Sequence, residues 1–150
     1  MVDQSAVGRS FTPVTACVEP GRLRYFLKTL GEQNPVYSTT AAQAAGSGGT
    51  PVPPTYLFCL EMMDAADPFE MFTTLGIDLG RVLHGEQSFV YRAPVLVGDT
   101  LTFRPRVTSV TDKKGGALTL IGIRCEVTNQ DGVHVADTAR TIVVRNEVAS

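Results

Sequence analysis

Several things are scarce in this 150-residue sequence. Neither sign of charge is in excess. Thirteen Lys and Arg stand against fifteen Asp and Glu, a net of -2. No basic field invites a nucleic acid, so none is expected as a partner. No apolar run reaches the ~18 residues that a membrane span needs, so no membrane partner is expected either. The opening residues Met1-Val2-Asp3-Gln4-Ser5 carry no basic or apolar signal region, and a cytoplasmic location is expected. The three cysteines, Cys17, Cys59 and Cys125, are odd in number, far apart and set among apolar residues. That pattern suits neither disulfides nor metal, and buried, reduced thiols are expected. There are only two histidines, His84 and His134. Neither has a Ser, Cys or Asp partner at a catalytic spacing, and the simplest reading of each is a strand or strand-end residue. No metal and no cofactor is expected.

What remains is an ordinary globular composition, 43% hydrophobic and 19% charged, in a length that suits one domain, 1–150. Phe11 to Val18 alternates as a strand, with Pro13 pointing to an edge or an early position, and Pro20-Gly21 breaks it. From Arg22 to Leu30, Leu23, Phe26, Leu27 and Leu30 fall on one helix face, and Gly31 stops the helix. Ser38-Thr39-Thr40 can cap a short Ala-rich helix, Ala41 to Ala45. Gly46 to Pro54 is a loop by composition. Its glycines could cradle a phosphate, but it lacks the lysine of a P-loop, and leading the chain into the next helix is the simpler role. Thr55 to Ala66 is apolar nearly all round and is predicted as a buried helix. Pro68 to Arg81 is irregular or weakly helical.

From Arg81 the pattern changes to strands: Val82 to Tyr91, Thr100 to Val110, Ala117 to Thr128 and Val133 to Val144. The connections Val97-Gly98-Asp99, Asp112 to Gly116 and Asn129 to Gly132 read as short hairpin turns. Strands segregated from helices predict an α+β fold. A curved antiparallel sheet around the Thr55–Ala66 helix satisfies both the long strands and the apolar helix.

The most informative stretch is Gly31-Glu32-Gln33-Asn34-Pro35-Val36-Tyr37. It sets a carboxylate, an amide and a phenol around a rigid turn. Asn34-Pro35 is most simply turn chemistry. Ala41, Ala44-Ala45-Gly46, Pro53-Pro54-Thr55, Leu83-His84-Gly85-Glu86-Gln87, Arg92-Ala93-Pro94 and Val97-Gly98-Asp99-Thr100 complete a set. With this set the sequence, from about Phe11 to Val144, resembles the MaoC-like dehydratases, or (R)-specific enoyl-CoA hydratases. The likeness is to the N-terminal half of their double forms and to the corresponding stand-alone subunits.

The resemblance implies a hot-dog fold that dimerises edge to edge into a continuous sheet. It also implies a lyase context in fatty acid metabolism, with an acyl-CoA or acyl-carrier-protein thioester as ligand. The family's catalytic half carries Asp and His in Gly-Asp-x-Asn-Pro-x-His. Here Glu32 and Tyr37 stand at those positions. A phenol with an ordinary pKa near ~10 is a poor base at neutral pH. The extra methylene of Glu displaces its carboxylate by ~1 Å, enough to cost ~100-fold. The resemblance therefore implies a non-catalytic, acyl-binding subunit, in a heterodimer with a catalytic hot-dog chain or in a homodimer.

Asn34, Phe58, Met62, Phe69, Phe72, His84 and Gly85 are the candidate substrate-binding residues, with core packing as the plainer reading of Phe58 and Met62. Arg104, Arg106, Lys113 and Lys114 could meet the phosphates of coenzyme A or an acidic carrier, or form a solvated hairpin. Two alternatives stay open. One is a homodimeric acyl-thioester-binding module without catalysis. The other is a thioesterase using Glu61 or Asp64.

Overall fold

Alternating apolar residues in long strands need a partner layer, and a short helix lies at the centre of it here. In the computed structural model, residues 2–38, 40–41, 46 and 48–147 are described. Five strands form one sheet: β1 (Val14–Cys17), β2 (Val82–Tyr91), β3 (Thr100–Lys113), β4 (Leu118–Thr128) and β5 (His134–Arg145). Their order is β1-β3-β4-β5-β2, and every neighbouring pair is antiparallel. Helices α1 (Pro20–Leu30), α2 (Tyr56–Asp64) and α3 (Glu70–Thr74) accompany the sheet. This is the α+β arrangement expected, a sheet around α2.

The first strand is shorter than the expected Phe11–Val18. Only Val14–Cys17 pairs regularly with β3, while Ser10 makes an isolated bridge to Arg106. Pro20 does more than end the strand. It opens α1, where a missing N–H costs nothing, and the Glu19 carboxylate accepts from the N–H groups of Gly21 and Arg22. Gly31 ends α1 with φ of 67°, a left-handed conformation that suits glycine. The Ser38 hydroxyl accepts from the Ala41 N–H at 3.2 Å, as a cap would. The helix expected at Ala41 to Ala45 itself lies outside the described residues.

The hairpin expectation holds for β3-β4 and β4-β5 and fails for the step from β2 to β3. Val97-Gly98-Asp99 does not join paired strands, because β2 lies beside β5 at the far side of the sheet. The connection crosses under the sheet instead. Its residues pair with the chain before α2 through Val52 N–H to Val95 O and Val97 N–H to Thr50 O.

Tyr56, Leu57 and Leu60 of α2 are fully buried against Leu101, Phe103, Cys125, Val127, Val135 and Ala136 of the sheet. Burial of a leucine-sized side chain stabilises by about 1.5–3 kcal/mol, so these contacts fix the helix on the concave face. A second cluster, at the other end of that face, joins Val2, Ala6 and Phe11 to Val107, Ile121, Ile123 and Ile142. The thiols do not all behave as expected. Cys125 is buried, Cys59 partly so, and Cys17 is exposed because it points away from the core on the edge strand.

The outer strand β2 is irregular. Its register on β5 shifts between His84 and Glu86. His84 pairs with Ile142 and Gln87 with Arg140, so the inward positions are Val82 and His84 before the bulge and Gln87, Phe89 and Tyr91 after it. Gly85 sits at the step. A Cβ there would lie 3.0 Å from Val143 Cγ2 and 3.2 Å from the Thr141 carbonyl oxygen, so only glycine fits without displacement.

Candidate functional site

The Gly31–Tyr37 stretch is a tightly self-bonded turn. The Glu32 carboxylate accepts from the Asn34 N–H at 2.7 Å, and Asn34 Oδ1 accepts from the Val36 N–H at 3.0 Å. Pro35–Tyr37 forms a single 3₁₀ turn that Asn34 caps. Glu32 and Asn34 are exposed, whereas Tyr37 is half-buried against the core around α2. Tyr37 lies near Tyr91, whose hydroxyl donates to the Pro54 carbonyl at 2.9 Å. Burial pushes the Tyr91 phenol well above its ordinary value, and the neighbouring Tyr37 adds to this. The turn thus ties one Glu32 carboxylate oxygen and the Asn34 amide oxygen to its own backbone.

A different place gathers most of the remaining candidates. Phe58 and Met62 of α2, Phe72 of α3 and His84 of β2 line one cavity of about 160 Å³, together with Pro68, Met71, Val82, Arg140 and Ile142. The Phe58 and His84 rings lie 5.2 Å apart, and the Arg140 guanidinium sits 5.8 Å from the centre of the Phe58 ring. Asn34, Phe69 and Gly85 do not line this cavity. Asn34 caps its turn. Phe69 is exposed and leans on Phe72 at 6.4 Å between ring centres. Gly85 occupies the bulge that turns His84 inward.

The cavity has a polar wall that the sequence reading missed. Arg140 of β5 donates through Nη1 to the Glu61 carboxylate at 2.9 Å, and the two side chains are only 11% and 4% exposed. A buried carboxylate is tolerated when it is paired in this way. A signal for Arg140 did exist. Ala136, Thr138, Arg140, Ile142 and Val144 share one phase of β5, so a charged residue stands where the alternation asks for an apolar one. Asp64, the other carboxylate offered on this helix, forms an ion pair with Arg22 of α1 at 2.6 Å.

The opposite face of the sheet carries the basic residues. Arg104 and Arg106 line a shallow groove of about 580 Å³ with Arg124, Glu126, His134 and Asp137. Arg104 donates to the Thr128 hydroxyl and Arg106 to the Gly8 carbonyl. Asp137 gathers Arg92 at 2.6 Å and Arg124 at 3.1 Å, with His134 Nε2 at 3.2 Å. Burial alone would raise its carboxyl pKa. The two guanidinium groups outweigh that and hold it below the ordinary value. Lys113 and Lys114 are exposed at the β3–β4 turn, outside this groove. Among the described residues no cluster of His, Cys, Asp and Glu could hold a metal ion, and no helix is long and apolar enough to cross a membrane.

The chain is similar to known proteins in sequence and in fold. In sequence the chain is similar to the UPF0336 protein of Streptomyces avermitilis, 37% identical over 147 residues that cover 96% of this chain and 95% of that one. The UPF0336 protein of Saccharopolyspora erythraea is 33% identical, over 96% of this chain and 92% of its own. In fold it is similar to a MaoC-like dehydratase with a TM-score of 0.82 at 22% identity, over 95% of this chain and 43% of that larger one. A chain of the C-terminally truncated HadBC (3R-hydroxyacyl-ACP dehydratase) complex of Mycobacterium tuberculosis gives 0.76 at 24% identity, over 91% of this chain and 96% of that one. One of the ChsH1–ChsH2 complex from the same organism gives 0.74 at 22%, over 94% and 86%. Residues 5–138 match the family described as FAS1-like, dehydratase domain region. Those structures share the hot-dog fold of this chain, and by the match over residues 5–138 the chain belongs to the FAS1-like, dehydratase domain region family.

Proposed function

We propose that this chain is the acyl-binding, non-catalytic subunit of an (R)-specific enoyl-thioester hydratase or 3-hydroxyacyl-thioester dehydratase. The observation that carries the reading is the division between two places. In the turn that holds Glu32 and Tyr37, one carboxylate oxygen is bonded to its own backbone and the half-buried phenol ring packs against the core, which supports reading the turn as lacking the family's acid–base pair. The cavity of Phe58, Met62, Phe72 and His84 offers an apolar wall of the kind that takes an acyl chain. A general base needs a free acceptor within reach of the substrate proton, and a partner chain with Gly-Asp-x-Asn-Pro-x-His would supply it.

The open outer side of β2 supports pairing with such a partner, since an unpaired strand edge is completed by another strand. The similar chains of HadBC and ChsH1–ChsH2 come from two-component complexes. The ligand is an acyl-CoA or an acyl-carrier-protein thioester, and the setting is fatty acid metabolism in the cytoplasm. Glu61 and Asp64 are each held by an arginine, so no observation favours a thioesterase.

The test is a hydration assay on crotonyl-CoA. The purified chain alone is expected to turn over negligibly, and co-expression with a hot-dog chain carrying the Asp/His motif is expected to restore turnover. Robust turnover by the lone chain, abolished by Glu32→Gln or Tyr37→Phe, would overturn the reading.

A further inference from the structure

The polar wall of the α2 cavity poses a problem for a plain alkyl chain. Arg140 gives one N–H to Glu61. Among the described residues its Nε and Nη2 donate to nothing, yet the side chain is only 11% exposed and faces the cavity. A guanidinium has five N–H donors. Burying them against methylene groups leaves them unpaired, which is far costlier than leaving them beside an acceptor.

The geometry also gives a direction. His84 stands on the open β2 edge and is exposed, whereas Met71 and Ile142 are buried and Arg140 nearly so. His84 therefore marks the mouth and Arg140 the base. A ligand entering past His84 presents its far end to Arg140. The cavity, at about 160 Å³, is close to the ~150 Å³ that holds a six-carbon ring, so a segment of about six carbons reaches the base.

We propose that Arg140 makes this cavity selective for an acyl group whose distal end carries a neutral oxygen acceptor, a hydroxyl or a carbonyl, over an unsubstituted alkyl chain. The inference rests on the acyl-binding reading above and names its substrate class. Neutrality follows from Glu61. Its carboxylate already balances the guanidinium, so a terminal carboxylate on the ligand would add a buried negative charge with no cation left for it. Phe58, lying over Arg140 at 5.8 Å, fixes the guanidinium plane and limits its escape. A site built to hydrogen-bond an oxygen discriminates strongly against the analogue that lacks it.

The experiment is calorimetric titration of the purified 150-residue chain with three non-reactive saturated thioesters: hexanoyl-CoA, 6-hydroxyhexanoyl-CoA and adipoyl-CoA. The 6-hydroxy compound is expected to bind about tenfold more tightly than hexanoyl-CoA, with adipoyl-CoA no better than hexanoyl-CoA. The paired variant Glu61→Leu/Arg140→Met, which removes both charges together, is expected to reverse the preference toward hexanoyl-CoA. The wild-type ranking stands on its own should that variant fail to fold. Equal or tighter binding of hexanoyl-CoA by the wild type overturns the selectivity and leaves acyl binding intact. The same holds for a hydroxyl preference that survives the paired variant, or for tightest binding of adipoyl-CoA. Absence of binding for all three overturns acyl binding itself, and the selectivity with it.

Discussion

Arg140→Met leaves the Glu61 carboxylate buried, 4% exposed, with no cation beside it. Two unit charges about 4 Å apart at an effective dielectric of about 20 attract by about 4 kcal/mol. Breaking one side of a buried pair costs about 3–5 kcal/mol, most of it the penalty on the stranded partner. For a protein of this size each kcal/mol lowers Tm by about 2–4 °C, so the loss is about 6–20 °C. Glu61→Leu is expected to cost less, because the freed guanidinium still faces a cavity of about 160 Å³ that water can enter. Glu61 has only a crevice of about 40 Å³ beside it. The double variant Glu61→Leu/Arg140→Met replaces both charges by apolar groups of similar volume and is expected to fall within about 1 kcal/mol of the wild type, or above it. The sequence has no tryptophan, so urea unfolding is followed by far-UV circular dichroism, at one protein concentration because pairing with another chain shifts apparent stability. Two single losses that add to the double loss within about 0.5 kcal/mol would mean that the groups do not feel each other and would rule out the coupling.

Three further outcomes are expected. Gly85→Ala should cost about 1–3 kcal/mol, because the new Cβ meets Val143 and the Thr141 carbonyl; a thermal melt unchanged from wild type would contradict that packing. Asp137 contributes stability that is complete above the ordinary carboxylate value of 3.8 and is lost as pH falls below it, through the lowered folded value. Asp137→Asn should therefore lose about 1 kcal/mol or less at neutral pH, its arginine partners being half in water, and should show a flatter decline of stability below pH 4; parallel acid limbs would refute it. Burial pushes the Cys125 thiol up to about 12, so in a thiol-labelling time course at pH 8 the exposed Cys17 should react first and Cys125 only on unfolding; early labelling of Cys125 would show that its burial is not as described.

The elements whose signal is local were legible in the residues. Leu23 and Leu27 define the buried face of α1 as their spacing predicts, although Leu30, one turn on, is exposed next to the Gly31 stop. The apolar run of α2 marked the central helix, and four residues named from it and its neighbours meet in one cavity. What the residues hid is non-local. Arg140 and Glu61 are 79 positions apart, and nothing on either side announces the pairing before the order of the strands is known. The placement of β2 beside β5 was hidden by turn chemistry, since Val97-Gly98-Asp99 looks like a hairpin and makes a crossing instead. The bulge at Gly85 was hidden for a similar reason. Period-two alternation assumes an unbroken strand, and β2 changes phase in its middle.

That change of phase has a bearing on assembly. The open side of β2 is not one edge of ten residues but two shorter ones, Val82–His84 and Glu86–Tyr91, whose pleats are out of step. A smooth strand offers a partner many equivalent alignments, each two residues from the next. A stepped one does not, because a strand that slides by two positions meets the break with the wrong residue. The exposed Leu83 and Val90, both turned to the convex side by the step, then lose their neighbours together. For the partner proposed above, the glycine that makes room for His84 would thus also be a ratchet tooth along the edge, allowing one alignment and penalising the rest.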